Sequence, residues 1–92
     1  MIKSFAHKGL EKFFREGAKK GVRPEHALRL ADTLDRLHAS QDVRDMDFPG
    51  ARLHQLRGKM KGFWSVTISG NWRVVFEFED GHAFKVGYVD YH

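Results

Sequence analysis

Three short segments hold the side chains best able to do chemistry: Leu53-His54-Gln55-Leu56-Arg57-Gly58, Asn71-Trp72-Arg73 and Asp90-Tyr91-His92. Histidine gives and takes protons near neutral pH. Arginine offers a permanently charged fork that matches a phosphate. Together these groups suit one reaction, the scission of RNA through its own 2′-hydroxyl. That reaction needs a base for the hydroxyl proton and an acid for the departing 5′-oxygen. It also needs cations beside the charge that develops on the phosphoryl oxygens. Each segment alone has an ordinary reading, as a surface histidine, a salt-bridging arginine and a frayed end. His54, Asp90 and His92 could also ligate a metal, but no short fixed spacing joins all three, and neither metal nor cofactor is expected.

The surrounding charge favours an anionic partner. The 92-residue chain carries 16 Lys plus Arg against 12 Asp plus Glu, a net +4. Between Phe48 and Phe76 it holds Arg52, Arg57, Lys59, Lys61 and Arg73 with no Asp or Glu, and the acids crowd the flanks at Asp42, Asp45, Asp47, Glu77, Glu79 and Asp80. Such a block can be a solvated surface, and it is also what a phosphate-binding face requires. With 41% hydrophobic and 30% charged residues, the composition is that of one compact domain over residues 1–92. The absence of cysteine excludes disulfides, thiolate metal sites and a cysteine nucleophile. No run approaches the roughly 20 apolar residues of a membrane span. Met1-Ile2-Lys3-Ser4-Phe5 lacks the apolar stretch of a signal peptide, so the expected location is the cytoplasm.

The elements that must position these residues are legible as a helical half followed by a stranded half. Leu10, Phe13 and Phe14 recur at helical spacing, with Gly17 or Gly21 as the stop. Pro24 suits the first position of a second helix, whose stripe is Ala27, Leu30, Ala31, Leu34 and Leu37. Gln41 to Gly50 reads as a polar loop. After Gly62 the period becomes two, giving three antiparallel strands around Trp64–Ile68, Trp72–Phe78 and Phe84–Tyr88. A three-residue loop Glu79-Asp80-Gly81 pairs Phe76 with Phe84, Val74 with Val86 and Trp72 with Tyr88. A loop Ser69-Gly70-Asn71 pairs Ile68 with Trp72 and Trp64 with Phe76. Both helices should then cover the Trp64–Trp72–Phe76 face, an α+β fold of two N-terminal helices on one face of a small antiparallel sheet. The other face, with Ser65, Thr67, Arg73, Val75, Gly87 and Tyr91, is left to a ligand, Gly87 giving room beside Arg73. In this register Asp90 and His92 point away from Arg73. His7, His26, His38 and His82 fall on helix surfaces or in a turn and are assigned no role.

At these residues the chain resembles the HigB-type toxins of the RelE superfamily, the toxin half of type II toxin–antitoxin pairs. The resemblance covers essentially the whole chain: Met1-Ile2-Lys3-Ser4-Phe5, Leu53-His54-x-Leu56-Arg57-Gly58, Trp64-Ser65, Asn71-Trp72-Arg73 and Asp90-Tyr91-His92. It implies a RelE-like, microbial-ribonuclease-like fold and ribosome-dependent cleavage of mRNA in a bacterial cytoplasm. It implies neutralisation by a cognate helix-turn-helix antitoxin of HigA type, through which alone operator DNA would be met. On this resemblance His54 and His92 transfer protons, with the base and the acid left open. Asp90 tunes one of them, Tyr91 contacts the RNA and Arg73 holds the scissile phosphate. Arg57 stands where the family commonly has a lysine, and Ser69 where relatives can carry an arginine, which leaves Lys59 and Lys61 as further phosphate contacts. The alternative reading of the same basic block is a non-catalytic module that binds RNA or the ribosome.

Overall fold

The computed structural model describes residues 1–91; His92 lies outside the described residues. Helix α1 spans Lys8–Glu16. His7 caps it, its Nδ1 accepting the Leu10 N–H, and Gly17 ends it in the left-handed conformation with φ 75°. Pro24 opens a 3₁₀ turn, Pro24–His26, that runs into α2, Ala27–Ala39. Leu30, Leu34 and Leu37 of its apolar stripe are wholly buried. Full burial of one such side chain is worth about 1.5–3 kcal/mol. α1 and the segment leading into α2 are tied by a close backbone approach: a Cβ on Gly21 would lie 2.5 Å from the Cα of Gly9. The polar stretch after α2 is not plain loop. Asp42 and Asp45 form a capping box around a 3₁₀ turn, Val43–Met46, which buries Met46 completely.

Four strands follow in the order β1-β2-β3-β4: His54–Gln55, Trp64–Ser69, Trp72–Glu79 and His82–Asp90, all antiparallel. β1, at two residues, is too short to show a period in the sequence, and it places His54 directly opposite Ser65. The β2–β3 register matches expectation from Trp64↔Phe76 to Thr67↔Arg73. Near the tip Ile68 is bulged, and Ser69 pairs with Trp72.

The β3–β4 register differs. Glu79 pairs with His82 across a two-residue Asp80-Gly81 turn, both residues having positive φ (52° and 79°). This turn suits the natural twist of a hairpin better than a three-residue loop. One extra residue then enters β4, where Lys85 is left-handed (φ 54°) and the pairing slips between Val75↔Gly87 and Glu77↔Phe84. The two-residue turn and the bulge each move the register by one place, two in all, so its parity is unchanged: Val74 faces Tyr88, and Trp72 faces Asp90. Val86 and Tyr88 therefore keep the covered face, Ala83 takes the core place expected for Phe84, and Phe84 turns to the other face beside Glu77.

The core joins α1 and α2 to Val66, Ile68, Val74, Phe76 and Val86, with Trp64 and Trp72 partly buried against it. The N-terminal residues lie parallel to β4 through Ile2↔Ala83 and Phe5↔Val86. The Lys3 N–H donates to the Ala83 carbonyl at 2.7 Å, and the Ala6 N–H to that of Val86 at 2.9 Å. Among the described residues no helix is long and apolar enough to cross a membrane.

Candidate active site

Strand pairing assembles the site on the face away from the helices. His54 stands opposite Ser65, Ser65 opposite Val75, and Thr67 opposite Arg73. Residues directly opposite across a strand pair share a face, with Cβ atoms about 4.5–5.5 Å apart. Tyr91 follows β4 on the same side, and its N–H donates to the Asn71 carbonyl at 2.8 Å, which keeps this part of the chain against β3. The result is a cleft of about 390 Å³ lined by Arg52, Leu53, His54, Leu56, Ser65, Arg73 and Tyr91. No carboxylate lines it among the described residues.

Each polar member is poised rather than consumed. Arg73 is steadied by donating from Nη1 to Thr67 Oγ1 at 2.6 Å, a neutral partner that does not compensate its charge. Its Cζ lies 6.0 Å from the Tyr91 ring centre, within cation–π range. Tyr91 is 45% exposed, a large aromatic left in water next to a cation. His54 is exposed at the rim. A guanidinium, an imidazole and a phenol ring thus line one opening, groups able to bind a phosphate, move a proton and stack on a base.

His54 also borders a second opening of about 610 Å³, lined by Gln55, Leu56, Arg57, Gly58, Lys61 and Gly62. Lys59 is exposed on the intervening 3₁₀ turn, Gly58–Met60. The cations Arg57, Lys59 and Lys61 therefore continue the basic surface past His54 instead of converging on Arg73, as a track for neighbouring phosphates would require.

Asp90 does not join this group. Successive side chains alternate across a strand, and Asp90 pairs with Trp72 on the helix side. There it lines a larger cleft of about 730 Å³ with His7, Arg23, Glu25, Trp72 and Tyr88. Arg23 is held above its ordinary pKa chiefly by its hydrogen bond to Glu25, Nε donating to Oε2 at 2.8 Å, with a smaller contribution from Asp90. Its guanidinium also lies 5.7 Å from the Trp72 ring centre. This cleft is the roomier of the two, but its main cation is already paired, so the Arg73 cleft is the better candidate. His54 and Asp90 stand on opposite faces and form no common ligand set.

The side chains expected on the surface do structural work. His26 is only 5% exposed, and its Nδ1 lies 2.5 Å from the Tyr88 hydroxyl. Trp72 stacks on Tyr88 with ring centres 4.7 Å apart. Burial pushes the Tyr88 phenol above its usual pKa. His38 Nδ1 accepts the Ile2 N–H. The space at Gly87 does not open beside Arg73: a Cβ there would meet Val75 Cγ2 at 3.3 Å.

Sequence reasoning did not name Arg52, Ser65 and Thr67 as site residues. Arg52 lies in the basic block and takes the left-handed conformation (φ 50°). Alternation places Ser65 and Thr67 on the correct face, but an alternating pattern does not distinguish a hydroxyl that serves a neighbour from one that meets water.

A family model described as RelE-like toxin of type II toxin–antitoxin system HigB matches residues 3–92. The Endoribonuclease HigB of Proteus vulgaris is 38% identical over 92 residues, covering the whole of both chains. The Toxin HigB-1 of Vibrio cholerae serotype O1 is 33% identical over 96 residues, covering all of this chain and 98% of the relative.

Proposed function

We infer the activity from one premise: the chain belongs to the HigB-like family of RelE-like toxins of type II toxin–antitoxin systems. It acts as an endoribonuclease that cleaves mRNA on the ribosome and so arrests translation in the bacterial cytoplasm. The observation that carries this reading is the shared cleft of His54, Arg73 and Tyr91. Arg73 grips the non-bridging oxygens of the scissile phosphate and neutralises the charge that builds there. Tyr91 stacks on the adjoining base. One of His54 and His92 removes the 2′-hydroxyl proton. The 2′-oxygen attacks phosphorus, the bond to the 5′-oxygen breaks, and the other histidine protonates that leaving oxygen. The products are a 2′,3′-cyclic phosphate and a 5′-hydroxyl, and no other reactant is consumed. Arg57, Lys59 and Lys61 bind flanking phosphates. Asp90, on the Arg23 side of β4, steadies the strand end that leads into Tyr91. The chain works as one domain, neutralised by a helix-turn-helix antitoxin of HigA type that carries the only contact to operator DNA.

The test is primer extension on mRNA translated in a cell-free system, with wild type and the His54→Ala, Arg73→Ala and His92→Ala variants. Loss of cut sites in the variants, and in wild-type reactions lacking ribosomes, supports the reading. Equal cleavage by all four proteins sinks it. Growth inhibition that persists without cleavage would favour the non-catalytic RNA-binding module instead.

A further inference from the structure

The hydroxyl of Ser65 is a polar group of the cleft for which the proposed chemistry gives no use. Ser65 is only 1% exposed, and its Oγ is buried with no hydrogen-bond partner among the described residues. A buried hydroxyl left unpaired is costly, so a native chain keeps one where a partner arrives. Trp64-Ser65 is also a sequence pair that the catalytic roles leave unexplained, since Trp64 serves the core.

The candidates for that partner are few. Ser65 lines the cleft with Arg52, His54, Arg73 and Tyr91, and of these five it alone is buried. Arg52 and Arg73 are cations whose free N–H donors a phosphate would claim, and Arg73 already donates one to Thr67. Tyr91 is fixed through its backbone to Asn71, with its ring by Arg73. Arg57 and Lys61 border His54 only from the adjacent opening. His54 is directly opposite Ser65 in register and exposed, so its ring can turn inward at little cost.

We propose that Ser65 is a positioning residue for His54: its hydroxyl holds one imidazole nitrogen, so that the other faces the scissile phosphate. The assignment of proton transfer to His54 is the reading given above, and this inference rests on it. A hydroxyl suits the task because it accepts from a ring N–H without bringing a charge into the cleft. The proton comes and goes at the other nitrogen, so the held N–H keeps the same partner in both protonation states. A carboxylate in its place would favour the imidazolium and resist proton release. The contact selects a tautomer and a ring angle, and Ser65 itself exchanges no proton with RNA.

The test compares wild type, Ser65→Ala and Ser65→Thr by two readouts. One is the His54 tautomer ratio from ring ¹⁵N shifts in the isolated toxin. The other is the pH profile of mRNA cleavage on translating ribosomes. Wild type is expected to show one dominant tautomer. Ser65→Ala should drift towards the ratio of free histidine, with cleavage about fivefold slower, the worth of one ordinary hydrogen bond, and an altered pH profile. Ser65→Thr should restore both. An unchanged tautomer ratio in Ser65→Ala overturns the contact, and a changed ratio with unchanged cleavage overturns the positioning role. Should Ser65→Ala fail to fold, a free-histidine ratio in the wild type overturns the proposal by itself. His54→Ala separates the two ideas: full cleavage there defeats the catalytic reading, while the ¹⁵N shifts still judge the Ser65 contact.

Discussion

Replacing Arg73 by lysine keeps the charge and removes the fork, so it measures geometry alone. In the wild type one arm of the guanidinium is engaged by Thr67 at 2.6 Å, and the Tyr91 ring lies 6.0 Å from its centre. The remaining donors are left for a phosphate. A lysine ammonium reaches the phosphate as a point charge, with no second parallel bond and no plane to set against the ring. Loss of one charge-assisted hydrogen bond costs about 1.5–3 kcal/mol, which is roughly 10- to 150-fold in rate. Arg73→Ala also removes the charge and should fall about 10²- to 10³-fold, the range for deleting one oxyanion-stabilising group. Thr67→Val leaves the cation in place but unanchored, and about 1 kcal/mol corresponds to roughly fivefold. Initial rates come from primer extension on a translated message, with urea midpoints measured in parallel to show that the fold is intact. Arg73→Lys cleaving within about twofold of wild type, a difference of only some 0.4 kcal/mol, would refute the argument that a bidentate grip is needed.

Other expectations concern stability and the wider surface. Tyr88→Phe strands His26 Nδ1 in the interior and should lower stability by about 1–3 kcal/mol, read as a shift in urea midpoint. The Tyr88 pKa is raised above its ordinary 10.0 by burial. Protonated Tyr88 therefore stabilises the fold fully below about pH 10, and that contribution disappears as pH rises through the higher folded-state value. Thermal melts should fall on the alkaline side in wild type, and Tyr88→Phe should flatten that limb. Gly21→Ala drives a methyl to 2.5 Å from the Gly9 backbone, so a drop of about 1–3 kcal/mol is expected, again read by urea. Exchanging Arg57, Lys59 and Lys61 together for glutamine should weaken binding to single-stranded RNA. The log–log salt dependence should flatten by about 0.7 for each phosphate no longer neutralised. An unaltered slope would place the phosphate track elsewhere.

The helices were legible because their signals are local: Gly17 and Pro24 punctuate the chain, and Leu30, Leu34 and Leu37 keep helical spacing. The two-layer arrangement followed from the alternation after Gly62, and so did the face shared by Arg73, Ser65, Thr67 and Tyr91. The β3–β4 pairing was not legible. Nothing in the composition of His82-Ala83-Phe84-Lys85 announces that Lys85 takes a positive φ, and a bulge is stabilised by the whole sheet rather than by its own residues. Because the one-residue bulge cancels the one-residue change made by the shorter turn, Arg73, Tyr91 and Asp90 lie on the expected sides while the pairing partners in β4 are displaced. The burial of His26 was missed for a related reason. Its place between Pro24 and Ala27 looks like a helix start on the surface, and only the distant Tyr88 and Trp72 make that position interior.

The strap formed by residues 2–5 has a bearing on assembly. It occupies the outer side of β4 between Ala83 and Val86, and at the far border of the sheet β1 offers only two residues. Over Ala83–Val86 a partner chain seeking to extend the sheet would first have to peel the strap away, and at β1 it would find a ladder too short to hold it. That stretch of edge is thereby blunted against strand-by-strand annealing, whether with a partner chain or with a second copy.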